Sequence, residues 1–192
     1  LTTACMQLKK MENDGYPNLH MAVNISARQF EDKDFIQTVY ASITESGIDP
    51  GKLELEITED VALENFEYAI KILEDLKHMG THISLDNFGT GNSALSYLKR
   101  LPISNLKIDK SILDSAMEDQ QDEKIVETII SIAKNFQLKV IAEGVESDVQ
   151  EYFLKKEKCN QAQGFLYSKP VPTEEAIQFL KGEDAHKGDL DE

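Results

Sequence analysis

Tryptophan is absent from this 192-residue chain, and cysteine is nearly so, with Cys5 and Cys159 the only two. They lie far apart and form no CxxC pair, so neither a disulfide framework nor a cysteine-based metal knuckle is available; the pair reads as two reduced, structural thiols. Histidine is scarce as well: His20, His78, His82 and His186 fall into no HExxH or other zinc-ligand spacing. No apolar run approaches the ~18 residues of a membrane span. The opening Leu1-Thr2-Thr3-Ala4 is not a signal peptide and carries no initiator Met, so the chain is expected to be a piece of something longer. Basic residues are the minority, 20 against 35 acidic, for a net charge of −15. Such a surface repels a phosphate backbone and an anionic bilayer, which excludes general nucleic-acid binding and lipid docking. A small phosphorylated ligand stays open, because a bound metal ion locally reverses the field. There is neither a GxSxG elbow nor a P-loop.

What is present is a globular composition, 41% hydrophobic and 29% charged, in a chain long enough to fold without disulfides. Strand-like and helical segments alternate. The strand candidates are 20–26, 53–58, 82–86, 105–109, 139–143 and 162–166. Between them apolar residues recur at helical spacing: Phe35, Ile36, Val39, Tyr40 and Ile43; Phe66, Ala69, Ile70, Leu73 and Leu76 within a helix over 64–79; Ile125, Ile129, Ile132, Ala133 and Phe136. Gly47, Gly51 and Gly80 stand at expected helix stops, and Thr173 before Glu174 and Glu175 reads as an N-cap. This pattern predicts an α/β fold with a parallel sheet. An eight-fold (β/α) barrel takes about 250 residues, so six units predict a TIM-like barrel incomplete by about two N-terminal strands. Residues 1–181 are expected to form the domain and 182–192 an acidic, frayed tail.

The strands alternate informatively. In Leu53-Glu54-Leu55-Glu56-Ile57 the aliphatic residues share one face and Glu54 and Glu56 the other, with Glu54 the deeper. Asn24, Asp86, Lys107, Asp109, Glu143 and Gln163 occupy the matching positions near the ends of their strands. In a barrel those ends carry the active site. Carboxylates gathered there need a cation, and an oxygen-rich set suits Mg²⁺, Mn²⁺ or Ca²⁺; an ion-pair network around Lys107 is the structural alternative. Gly89 and Gly91, in the turn Phe88-Gly89-Thr90-Gly91 after Asp86-Asn87, read as a mobile loop beside a metal ligand.

These segments, in this order, resemble those of EAL domains, the bacterial cyclic-di-GMP phosphodiesterases. Glu56-Ile57-Thr58-Glu59 is similar to ELTE, Asp86-Asn87-Phe88-Gly89-Thr90-Gly91 to DDFGTG, and Asn24-Ile25-Ser26 to NLS. Leu106-Lys107-Ile108-Asp109 is similar to LKID, Ala142-Glu143-Gly144-Val145-Glu146 to AEGVE, and Gln163-Gly164-Phe165 with Lys169-Pro170 to QGYxxSKP. The resemblance implies an EAL-type barrel that hydrolyses cyclic di-GMP to linear pGpG with two Mg²⁺ or Mn²⁺ ions. It implies Asn24, Glu56, Asp86, Asp109 and Asn87 as metal ligands, the second site being weakened at Asn87. Glu143 would serve as acid–base residue or metal neighbour, and Lys107 would orient or activate water. Glu146 and Gln163 would support metals and substrate, Glu59 would pin the Gly-rich loop, and Gly89 and Gly91 would form it. It further implies a cytoplasmic domain, in a parent that could be membrane-anchored, with a homodimer and upstream sensory or diguanylate cyclase domains as associates. Three features depart from the family pattern. The EAL motif itself is absent, its place in the family lying upstream of the point that matches Leu1; Asn87 replaces the second Asp of DDFGTG, and Asn92 replaces the usual Tyr. Two other readings therefore stand beside the enzyme: a degenerate module that binds cyclic di-GMP or a partner without turnover, and a structural dimerisation domain. For the chain as it stands, lacking two strands, little or no turnover is expected.

Overall fold

In a computed structural model that describes residues 1–89 and 95–182, the chain is an α/β protein. Contacts divide it into two units. The first holds Leu1–Asp86 together with the stretch that ends at Asn105; the second holds Asn87–Gly89 with Leu106 onward. Thr90, Gly91, Asn92 and the tail from residue 183 lie outside the described residues, so the expectations for Gly91, Asn92 and the tail lie there too.

The first unit contains helix α1 (Thr2–Asn13), strand β1 (Met21–Asn24), α2 (Ala27–Phe30), α3 (Phe35–Ser46), β2 (Leu53–Thr58), α4 (Glu59–Glu64), α5 (Phe66–His78), β3 (His82–Phe88) and α6 (Leu95–Leu98). β1 and β2 pair in parallel, as do β2 and β3. Parallel neighbours require a crossover, and here a helical connection supplies each one. Leu53, Leu55, Ile57, Ile83 and Leu85 are buried, as the alternation in β2 predicts, and so are Val39, Leu73 and Leu76 of the helices. Lys52 ties α1 to the start of β2: its ammonium donates to a Glu12 oxygen and, at 2.6 Å, to the Pro17 carbonyl, while Lys9 approaches Glu12 at 3.1 Å.

The second unit contains β4 (Asn105–Ile108) from Leu106 onward, α7 (Lys110–Ala116), α8 (Gln120–Asn135), β5 (Lys139–Ala142), α9 (Asp148–Lys156), β6 (Gln161–Ala162) and α10 (Thr173–Leu180). β4, β5 and β6 neighbour one another in chain order. Both cysteines are buried and free; burial pushes the Cys159 thiol up to about 11.

Several sequence expectations shift. The helix expected over 64–79 is α5, which starts two residues later because Asn65 caps it by accepting the Tyr68 N–H, and a separate α4 precedes it. Gly51 belongs to a short 3₁₀ turn rather than a helix stop. α10 begins after Pro172, with Thr173 its first residue. In α8 the buried stripe is Val126, Ile129, Ile130 and Ala133, leaving Ile125 and Phe136 exposed, and Tyr40 of α3 is exposed too. The strand expected over 162–166 is cut to two residues. Its backbone pairing continues irregularly: Gln163 N–H donates to Ala142, Val145 N–H to Gln163 and Leu166 N–H to Val145. Gly164 makes this clasp possible, since a Cβ there would sit 2.1 Å from the Val145 carbonyl oxygen.

Candidate active site

Register places the oxygen donors of the first unit. Asn24 stands opposite Glu56, and the Ile25 N–H continues the ladder to the Glu56 carbonyl at 2.8 Å. Asp86 stands opposite Thr58, two residues beyond Glu56, so Asn24, Glu56 and Asp86 share the face that also carries Glu54 and Ser84. Glu56 and Asp86 are 6% and 9% exposed, unusual for carboxylates without a chemical role or a charge partner; both take part in polar interactions. Beneath them Asn105 Nδ2 donates to Ser84 Oγ at 3.0 Å, and Ser84 Oγ donates to Glu54. Glu59 follows β2 in the first turn of α4 and is buried, where the Tyr97 hydroxyl of α6 donates to its carboxylate. Tyr97 in turn meets Phe66 edge-on, and Arg100 lies 4.8 Å over the Phe66 ring.

In the second unit the ends of β4 and β5 present a charged pair. Lys107 Nζ lies 2.6 Å from Glu143 Oε1; the lysine is 2% exposed and the glutamate 22%. The Glu143 N–H donates to the Ile108 carbonyl and fixes the two strand ends together. A second pair sits further out. Lys110 meets Glu146, and both are nearly half exposed. That contact holds the lysine above its ordinary value, so it stays charged. Gln150 Oε1 accepts the Glu146 N–H at 2.8 Å, and Gln150 Nε2 donates to Asp114 at 2.9 Å. Asp109 caps α7, its Oδ1 accepting the Ser111 N–H at 2.8 Å and the Ser111 hydroxyl. Asn87 adopts φ 57°, a left-handed conformation that Asn tolerates better than most residues. Gly89 has φ 93° and a space that the Ile112 side chain would contest with a Cβ. Gln163 is exposed and held by its backbone.

The residue profile of the EAL domain matches residues 1–170. The chain belongs to the EAL domain family. Over 177 residues it is 40% identical to the bifunctional diguanylate cyclase/cyclic di-GMP phosphodiesterase MucR of Pseudomonas aeruginosa, covering 92% of this chain and 26% of that protein. The EAL chain thus spans about a quarter of the length of that relative. The structure of the MucR phosphodiesterase in complex with cyclic di-GMP superposes with a TM-score of 0.88 at 39% identity, over 91% of this chain and 71% of the other. The manganese and cyclic di-GMP complex of Klebsiella pneumoniae BlrP1 superposes with a TM-score of 0.78 at 25% identity, over 88% and 43%. The expected fold is therefore the fold of the EAL barrels.

The donor set suits a hard divalent cation. Asn24 offers an amide oxygen, and Glu56 and Asp86 offer carboxylates, with no sulfur or imidazole beside them in the register. Among the described residues no three His, Cys, Asp or Glu side chains are grouped to hold a metal on their own. Among the described residues no helix is long and apolar enough to cross a membrane.

Reading the sequence alone missed Ser84, Asn105, Tyr97 and Lys110. Ser84 was legible as the polar residue two before Asp86 on the same face. Tyr97 looks like any aromatic in an apolar run, and Lys110 like any solvated lysine, so neither carried a signal.

Proposed function

We propose that this chain is the catalytic domain of a cyclic-di-GMP phosphodiesterase, cutting one phosphodiester bond by in-line attack of water to give linear pGpG. The observation that carries the reading is the buried Lys107 ammonium held 2.6 Å from the Glu143 carboxylate at the ends of neighbouring strands. A buried cation with a partly exposed acid is a proton-handling pair: the ammonium donates to and orients the water, and the carboxylate accepts its proton. Asn24, Glu56 and Asp86 would hold Mg²⁺ or Mn²⁺, with the free oxygen of Asp109 and the amide oxygen of Asn87 as donors for a second ion. Such ions supply Lewis acidity and charge neutralisation toward a dianionic ligand. Glu59 fixes the start of α4 behind Glu56 through Tyr97, Gln163 supports the ligand side, Glu146 is the ion partner of Lys110, and Gly89 follows β3. We place the domain at 1–181, with a cytoplasmic location, cyclic di-GMP as ligand, a homodimer as the assembly, and sensory or diguanylate cyclase domains upstream.

Asn87 favours a second reading. Its amide supplies one oxygen and no charge where the family motif has a carboxylate, and that change weakens a second cation more than it weakens the nucleotide. The domain would then bind cyclic di-GMP without turning it over. The test is Mn²⁺-dependent hydrolysis by the protein as its genome encodes it, beside Asn87→Asp. Turnover by both supports the enzyme; turnover by the Asp form alone makes the natural protein a binding module.

A further inference from the structure

We infer that Lys110 is a substrate-binding residue: its ammonium exchanges the Glu146 carboxylate for a phosphodiester oxygen of the nucleotide. This rests on the phosphodiesterase reading above and names a contact within it. Lys110 directly follows Asp109 at the end of β4, three residues beyond Lys107. Its stem lies across Gly144, the residue after Glu143: a Cβ on Gly144 would fall 2.4–2.6 Å from the Lys110 Cγ, Cβ and Cδ. The glycine thereby leaves a track along which the lysine crosses from the end of β4 to the end of β5. At the end of the track it meets Glu146.

The inner and outer pairs differ in kind. Lys107–Glu143 is enclosed, whereas Lys110 and Glu146 are 44% and 45% exposed. An exposed pair of this sort adds little stability and exchanges partners readily. A dianionic ligand approaching a chain of net charge −15 meets repulsion that the outer lysine can offset. The Glu146 backbone is held by its N–H on the Gln150 side-chain oxygen, and the long, half-exposed lysine stem is the arm that swings. Glu146 therefore acts as the resting place of the cation, and the ligand takes its place.

The experiment is calorimetric titration of cyclic di-GMP into the full-length protein with Ca²⁺, together with Mn²⁺ turnover, for wild type, K110A, K110R, E146Q and K110A/E146Q. Loss of a charge-assisted phosphate contact is expected to weaken binding about tenfold in K110A. K110R is expected to restore most of it. E146Q, which frees the lysine, is expected to bind as tightly as wild type or more tightly, and the double variant to match K110A. If Lys110 only positioned Glu146, E146Q would weaken binding as much as K110A does; that result, or a K110A that binds like wild type, overturns the proposal. A wild type that takes up no nucleotide with either cation overturns the phosphodiesterase reading, and the Lys110 contact falls with it.

Discussion

Replacing Gly164 with Ala should be among the most damaging single-methyl additions in this protein. The glycine's φ lies outside the left-handed region, so the cost is steric rather than conformational. The added Cβ would stand 2.1 Å from the Val145 oxygen, 2.3 Å from its nitrogen and 2.6 Å from its carbonyl carbon. All three are backbone atoms, which no rotamer change can move. Relief requires the two backbones to part by about an ångström, and the same backbone atoms of Val145 bond to Gln163 at 3.0 Å and Leu166 at 2.9 Å. Two hydrogen bonds at ~0.5–1.5 kcal/mol each, with ~1–3 kcal/mol of overpacking, give a loss of about 2–6 kcal/mol. Gly47→Ala is the control. Gly47 ends α3 at φ 67° with nothing within 4 Å of its Cβ position, so its cost is the left-handed backbone alone, ~1–2 kcal/mol. Urea unfolding followed by circular dichroism measures both; with a slope of ~1–3 kcal/mol per molar, G164A should lower the midpoint by about 1–2 M or more. A G164A midpoint equal to or above that of G47A would refute the close-approach argument.

Lys107→Met should lower turnover about 10²–10⁴-fold while changing stability little, because a methionine fills the volume without a buried charge. Glu143→Gln should cost more stability than Lys107→Met, since it takes a carboxylate from a lysine that stays buried; the two unfolding midpoints check the order. The Lys52 and Lys9 contacts hold the Glu12 carboxyl below its ordinary 4.5, so its contribution is present above that pH and lost as pH falls through the lowered value. Glu12→Gln should therefore flatten the acid limb of stability against pH, read from urea midpoints across the acid range. Cys159, with its thiol raised to about 11, should resist thiol reagents at neutral pH until unfolding exposes it, and the labelling rate should match the unfolding rate.

The first five strands were legible because period-two alternation survives wherever one face meets helices and the other carries Glu, Asp or Lys. Glu54 and Glu56 against Leu53, Leu55 and Ile57 are the clearest instance. The sixth was overread because Gln163 to Leu166 keep strand-like backbone bonds while the close approach at Gly164 bends the chain away. α8 was placed correctly and rotated wrongly: Ile125, Val126, Ile129, Ile130 and Ile132 cover so much of the helix that spacing alone selects no single buried stripe. Of the site, the charged residues at strand ends were readable, since a charge at an inward position is rare without a role. The neutral partners that hold them, Ser84 beneath Glu54 and Tyr97 against Glu59, depend on distances that only the folded chain supplies.

The register pairs observed all join a strand to the next one along the chain: β1 to β2, β2 to β3 and β5 to β6. Each closes a loop of one crossover, so the entropy of closure is small and similar every time. A chain leaving the ribosome can therefore zip β1 against β2 before β5 has been made. Assembly advances in short steps with the strands in order, and a pause in synthesis after β3 leaves strands already paired rather than a scattered set of unpaired ones.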